Sequence, residues 1–360
     1  MMDNRKFLFG LSRLPGIGPR RLELLISYFG SAKEVWQAKP SLLYCIKEIP
    51  TKTIDELISL RERTDLEKEI NILAEKGISV YTIEDDCYPA RLKNIATPPY
   101  VLYVRGQLPD DDCLSIAIVG ARRCTPYGLK MAEEIARELA GAGVTVISGM
   151  ARGIDSAAHK GCLEGGGRTV AVLGTGVDIV YPRENRRLMD NIITHGAVVS
   201  EFPPGTKAQP SHFPMRNRII SGMADGVLVV EAAQNSGSLI TTDLALEQGR
   251  DVFAVPGPAT SLLSKGTNSL IKQGAKLVEC ARDILEEYGL DRGRQEKREE
   301  FDLNPAEQRI LACLTLEPVN IEEIVEKAGM NPAEVSAALT FLELKGLVKR
   351  IDGQLFVSNV

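Results

Sequence analysis

The sequence predicts an α/β protein centred on a doubly wound parallel sheet, with a helical segment before it and a small helix-and-hairpin module after it. Three observations carry this expectation. Six short β-rich runs, 115–119, 144–147, 169–173, 197–200, 226–230 and 251–255, are predominantly apolar without polar alternation, as strands buried on both faces are. Helical stretches such as 128–142 and 239–248 separate them, giving the alternation of parallel crossover units. The first 75 residues instead repeat apolar residues at three and four, as in Leu22, Leu25, Ile26 and Phe29 or Ile54, Leu57 and Ile58.

At 360 residues the chain is long for one core, so several domains are expected. The pattern divides it into a helical domain over 1–75, a sheet domain over 76–288, a charged linker over 289–303 and a last domain over 304–360. A hydrophobic content of 44% with 25% charged residues is that of a soluble globular protein, and no apolar run reaches the ~20 residues of a membrane span. No membrane association is expected. The opening residues lack the apolar core of a secretory signal, and seven cysteines are scattered without a Cys-x-x-Cys pair. A reduced cytoplasm is therefore expected, and structural zinc is not. The net charge of -5 argues against a protein that coats nucleic acid by bulk attraction, so any polyanion site is expected as a local cluster of arginines.

In the helical segment, "LPGIGPRRLELL" (14–25) places Pro15, Gly16, Gly18 and Pro19 in a tight turn that feeds a helix carrying Arg20 and Arg21 in its first turn. It resembles the hairpin of helix-hairpin-helix modules, whose backbone N–H groups meet a DNA phosphate at a helix N-terminus. A plain interhelical turn fits equally. Two further candidate strands, 78–83 and 100–104, precede the first crossover.

In an open parallel sheet, ligands sit outside the carboxyl ends of the strands. After 115–119 comes "GARRCTPYG" (120–128), then "SGMARGID" (148–155), "GTGVDIVYPRENRRL" (174–188), "EFPPGT" (201–206) and "EAAQNSGSLITT" (231–242). One sheet edge thus collects glycines, hydroxyls and helix starts beside Arg122, Arg123, Arg152, Arg183, Arg186, Arg187, Arg216 and Arg218. Loops of this kind make an anion cradle. The dinucleotide fingerprint and the P-loop are both absent, so neither a nicotinamide nor an ATP site is expected. No histidine pair has metal-ligand spacing, and no cofactor or metal is expected. His159 lies four residues after Asp155, which places the pair on one helix face and favours a structural carboxylate–imidazole contact over acid–base chemistry. Ser236 and Ser238 flank Gly237 ahead of a helix and suit an N-cap and phosphate nest. Glu231 and Asp225 suit capping or pairing with arginine as well as catalysis, and no catalytic residue is assigned.

The ordered blocks "IAIVGARRCTPYG", "SGMARGIDSAAHKG", "AVLGTGVDIVYPRENRRL", "SEFPPG", "HFPMRNRIISG", "VVEAAQNSGSLITTDLALEQGRDVFAVPG" and "KGTNSLIKQGA" together resemble the DNA-processing DprA (Smf) family. That resemblance implies an extended Rossmann-like domain flanked by an N-terminal sterile-alpha-motif-like helical domain and a C-terminal winged-helix domain. It implies a non-enzymatic homodimer that binds single-stranded DNA without sequence preference and delivers it to the RecA recombinase in natural transformation. The family's first-loop arginine falls on Arg122, with Ala121 replacing a hydroxyl. Its basic residue after the Tyr-Pro-x-x-Asn block falls on Arg186 or Arg187, with Arg187 favoured.

The expected DNA contacts follow from both readings: Gly120, Ala121, Arg122 and Arg123; Ser148, Gly149, Arg152 and Gly153; Gly174, Asn185, Arg186 and Arg187; Phe213, Arg216, Asn217 and Arg218; Ser236, Gly237 and Ser238. Arg216 and Arg218 suit loop bracing through Glu201 or Glu231 equally well. A wall such as Phe213, Tyr181 or Met150 is expected to stack on a base. The related nucleoside monophosphate N-glycoside hydrolases of the phosphoribohydrolase type offer an alternative reading. Their Pro-Gly-Gly-x-Gly-Thr-x-x-Glu block is missing here, with "NSGSLITTDLALE" in a comparable place.

After the charged linker "GLDRGRQEKREEFD", helices over 305–315, 321–329 and 332–346 and a hairpin over 346–358 with Asp352-Gly353 at its tip complete a winged-helix pattern. Its third helix carries Glu334 and Glu343 against Lys345, and so lacks a basic face for a DNA groove.

Overall fold

The computed structural model describes residues 2–290, 303–314, 319–345, 347–352 and 354–358, in two compact units, Met1–Leu290 and Asp291–Val360. Among the described residues, no helix is long and apolar enough to cross a membrane.

The first unit is built on β1 (Ser79–Thr82), β2 (Val101–Gly106), β3 (Ser115–Val119), β4 (Thr145–Ser148), β5 (Thr169–Val172), β6 (Ala197–Ser200), β7 (Gly226–Val229), β8 (Asp251–Ala254) and β9 (Lys276–Leu277). Their order is β1-β2-β6-β5-β4-β3-β7-β8-β9. The six apolar runs are the parallel strands β3 to β8. The two earlier candidates join the sheet antiparallel, β1 on β2 and β2 on β6. Some strands start one residue later than their apolar runs, because Ile78 N–H donates to Leu73 and Val144 N–H to Leu139, closing the preceding helices instead. The two-residue β9 was not expected; it is too short to carry a pattern.

Residue alternation explains the burial on both faces. Ile116 and Ile118 of β3 point into a core with the helices Pro126–Gly141 and Ile154–Glu164. Ala117 and Val119 point into the opposite core, with His212–Met223 and Gly237–Glu247. A period of two thus feeds both layers. The N-terminal helices share a third core with the sheet: Leu8, Phe9, Leu11, Trp36 and Leu57 pack with Tyr103, Leu173, Leu188, Ile192 and Val198, and the Phe9 and Tyr103 rings meet edge-on at 6.2 Å.

The second unit has helices Pro305–Cys313, Ile321–Ala328 and Pro332–Leu344, with β10 (Val319–Asn320), β11 (Val348–Asp352) and β12 (Leu355–Ser358) ordered β10-β12-β11. This is the winged-helix arrangement. Asn304, Asn320 and Asn331 cap the three helices through their side chains. Thr315, Gly346, Gly353 and 291–302 of the linker lie outside the described residues. The third helix exposes Glu334 and Glu343, while Lys345 turns inward to the buried Glu307 carboxylate at 2.8 Å.

Candidate nucleic-acid interface

The loops that follow β3, β4 and β7 meet the first turns of two helices and enclose a crevice of about 450 Å³. Gly120, Arg122, Phe213 and Asn217 line its walls together with Ser236, Gly237 and Ser238, while Asp155 and Arg216 form its floor. A small recess of about 50 Å³ continues beside Arg122 to Gly149, Arg152 and Tyr181.

The first loop is held from behind. Ala121 N–H donates to the Glu231 carbonyl at 2.8 Å. The buried Glu231 carboxylate accepts from Thr125 N–H at 2.8 Å and from its hydroxyl at 2.5 Å, and Thr125 in turn caps the helix Pro126–Gly141. Glu231 is therefore a structural acceptor. Asp225 is another: it pairs with Arg91 at 2.6 Å and accepts from Ser115 N–H at 2.9 Å. With its backbone fixed, the exposed Arg122 sets its guanidinium 5.3 Å from the centroid of the Phe213 ring, a cation–π contact at the mouth of the crevice. The Tyr181 ring lies 5.4 Å from Phe213 on the same wall. Arg123 is exposed outside the lining.

The second loop turns within van der Waals limits that only glycine meets. Gly153 has φ 76° and ψ -127°, and a Cβ there would lie 2.3 Å from the Ala121 carbonyl oxygen. At Gly149 a Cβ would sit 2.6 Å from the Arg216 guanidinium. The Ser148 hydroxyl is buried and donates to the Ile118 carbonyl at 2.6 Å, so it faces the sheet rather than a ligand. Met150, expected as a stacking wall, is fully buried. Asn185 explains why: its amide donates to the Met150 carbonyl at 2.9 Å and to the Ser156 hydroxyl at 2.8 Å, clamping that loop inward.

The arginines separate into two kinds. Arg216 is only 4% exposed and donates to the carbonyls of Gly149, at 2.8 Å, and Val172. Burial lowers its pKa to about 10, against the pull of Asp155; it remains cationic at neutral pH. Arg218 forms a bidentate pair with Glu201 at 2.7 and 2.5 Å and donates to the Thr97 carbonyl at 3.0 Å. Both are braces, and Glu231 serves neither. Arg152 is exposed and pairs with Glu184. Arg186 and Arg187 start the helix Arg186–His195, exposed but outside the crevice lining. Gly174 is packed against Phe213 and His212, where a Cβ would meet the Phe213 ring at 3.0 Å. Ser236 caps the helix Gly237–Glu247 through Ser238 N–H at 3.3 Å, and the two hydroxyls lie 2.7 Å apart.

The expected Asp155–His159 contact is not formed. His159 Nδ1 meets the Thr169 hydroxyl of β5 at 2.7 Å and its Nε2 has no partner among the described residues, because the strand packed under the helix supplies the nearer hydroxyl. Asp155 accepts instead from Ala151 N–H, and burial raises its pKa. Burial and the nearby Arg216 lower the His159 pKa to about 3. The unfolded chain takes up a proton below ~6.5 that the native ring refuses, so acidification from there toward about 3 removes up to ~1.4 kcal/mol per pH unit. Asp155 acts with the opposite sign. Comparing His159→Gln with the parent in urea titrations at successive pH values isolates the imidazole, and the variant's stability should decline less steeply below pH ~6.5. Identical slopes would contradict a neutral His159.

Ile240 and Thr241, which also line the crevice, carried no sequence signal. They lie one helical turn past the Ser-Gly-Ser cap, Thr241 buried and Ile240 exposed at the rim, and only the packing of that helix brings them to the crevice.

Residues 79–289 match the family model of DNA recombination-mediator protein A, and residues 294–354 that of the DprA winged helix domain. The chain is 33% identical to Protein Smf of Synechocystis sp. over 95% of its own length and 96% of that protein. It is 46% identical to DNA processing protein DprA of Streptococcus pneumoniae over 58% of this chain and 73% of that one. The crystallographic DprA of Streptococcus pneumoniae superposes with a TM-score of 0.67 at 35% identity, covering 78% of this chain and 97% of that chain. DNA processing protein A of Helicobacter pylori, described for its single-stranded DNA binding mode, gives 0.53 at 29% identity, covering 59% and 96%.

Proposed function

This chain belongs to the DNA recombination-mediator protein A family, and from that premise we propose that its crevice holds the sugar-phosphate backbone of single-stranded DNA without reading its sequence. The observation that carries the proposal is the guanidinium of Arg122 set over Phe213, opposite the capped start of the helix Gly237–Glu247. Guanidinium and main-chain N–H groups bond phosphate oxygens regardless of base. A base turned into the crevice stacks on the Phe213–Tyr181 wall for ~1–3 kcal/mol. Arg152 borders the recess, and the exposed Arg123, Arg186 and Arg187 serve as further phosphate contacts for the strand outside the crevice. The bound strand is delivered to the RecA recombinase, the step that serves natural transformation, and the protein works by binding rather than catalysis. It acts as a homodimer, since two crevices on one strand multiply the affinity of either.

Neutralising about three phosphates per crevice gives a log–log salt slope of roughly -2. Removing both charges in Arg122→Ala with Arg187→Ala should weaken single-strand binding on the order of tenfold and flatten the slope by ~1.4, from the single-strand coefficient. Gel shifts on single- and double-stranded DNA, run beside a nucleoside monophosphate hydrolysis assay, test this. Salt-insensitive binding would contradict the proposal, and turnover would replace it with the hydrolase reading.

A further inference from the structure

The turn at 14–19 took no part in the crevice, yet it forms one wall of a second cleft in the same unit. That cleft has a volume of about 500 Å³, and its opposite wall is the segment carrying Phe202, His212 and Met215. The adjoining hollow is lined by Arg20, Arg21 and Arg218 around Met215. The two sites touch through one turn of helix: His212 and Met215 face this cleft, while Phe213 and Pro214 face the crevice.

The chemistry of the cleft repeats that of the crevice. The Phe202 and His212 rings stack at 4.0 Å with 15° between their planes, giving a flat aromatic surface. Its one lining carboxylate, Glu201, is neutralised by Arg218. Arg13 is likewise paired with Glu69. Arg21 braces the turn by donating to the Gly16 carbonyl at 2.7 Å, and among the described residues no carboxylate contact offsets its charge or that of the exposed Arg20. An aromatic platform beside uncompensated guanidinium groups suits a flexible polyanion whose bases have free faces.

Resting on the single-strand reading above, we propose that this cleft is a second seat for the same strand. Single-stranded DNA leaving the crevice past Phe213 crosses the first turn of the helix His212–Met223, lays a base against the Phe202–His212 pair and sets a phosphate between Arg20 and Arg21. Continuity with the crevice and the sign of the charge select this occupant.

The test is tract length. Full-length protein is titrated with thymidine tracts of about six and about twenty nucleotides, which bracket site sizes of ~4–16. Arg20→Glu should weaken the longer tract at least about fivefold and flatten its salt slope by ~0.7 per phosphate lost, leaving the shorter tract unchanged. Arg20→Lys should restore both. Met215→Glu, which puts a carboxylate among the arginines from the other wall, should reproduce the loss. Equal affinities of parent and Arg20→Glu for the long tract would overturn the second seat while leaving the crevice standing, and so would an equal loss on both tracts. A parent that binds neither tract would defeat the single-strand reading and the extension with it.

Discussion

Arg216→Met should lower the stability of the first unit by ~2–5 kcal/mol, the cost of depriving two buried carbonyls of their charged donor beside a buried carboxylate. The side chain is only 4% exposed and its guanidinium ties the ends of two strands together through the carbonyls of Gly149 and Val172. Removing it leaves those acceptors unmatched and Asp155 buried beside an apolar replacement. Denaturant midpoints followed by tryptophan fluorescence read the loss, Trp36 being the sole indole in the chain. Arg122→Ala provides the contrast: an exposed side chain removed from the same crevice should stay within ±0.5 kcal/mol while DNA affinity falls. A loss below ~1 kcal/mol for Arg216→Met would show that Arg216 is not a brace.

Gly153→Ala should damage stability and binding together. With φ 76° and ψ -127° the residue lies where side chains are strained by ~1–3 kcal/mol. The added methyl would also lie 2.3 Å from the Ala121 carbonyl and 2.8 Å from that of Arg122. These backbone atoms must move, and they carry Arg122 with them. Affinity for single strands should therefore fall on the order of tenfold, ~1.4 kcal/mol, although no charge has been removed. Gly166→Ala is the control, because Gly166 also has a positive φ of 70° but nothing within 4 Å of a Cβ. It should cost stability alone. Unchanged DNA binding by Gly153→Ala would separate the second loop from the placement of Arg122.

The sheet was legible because burial on both faces leaves a compositional mark on each strand, so β3 and β6 occupy the residues their apolar runs predict. The crevice was legible as glycines and arginines gathered at one edge. The division of labour among the arginines was not. Arg122 and Arg216 are chemically alike in sequence, and only tertiary packing sends one to the surface and the other beneath Gly149. The same holds for His159, whose helical spacing to Asp155 was real but whose partner came from β5, ten residues later. Met150 looked like an exposed platform because nothing local announces that Asn185 pulls its loop inward.

The Glu231 clamp on the first loop carries a further meaning. β3 has its neighbour β7 more than a hundred residues away in the chain, and Arg122 is steadied by a carboxylate and a carbonyl that stand just beyond that neighbour. During synthesis on the ribosome, the arginine emerges long before the residue that anchors its loop. The first loop thus gains its anchor late, and on the proposed reading a nascent chain ending short of Glu231 has no finished crevice with which to seize a strand prematurely.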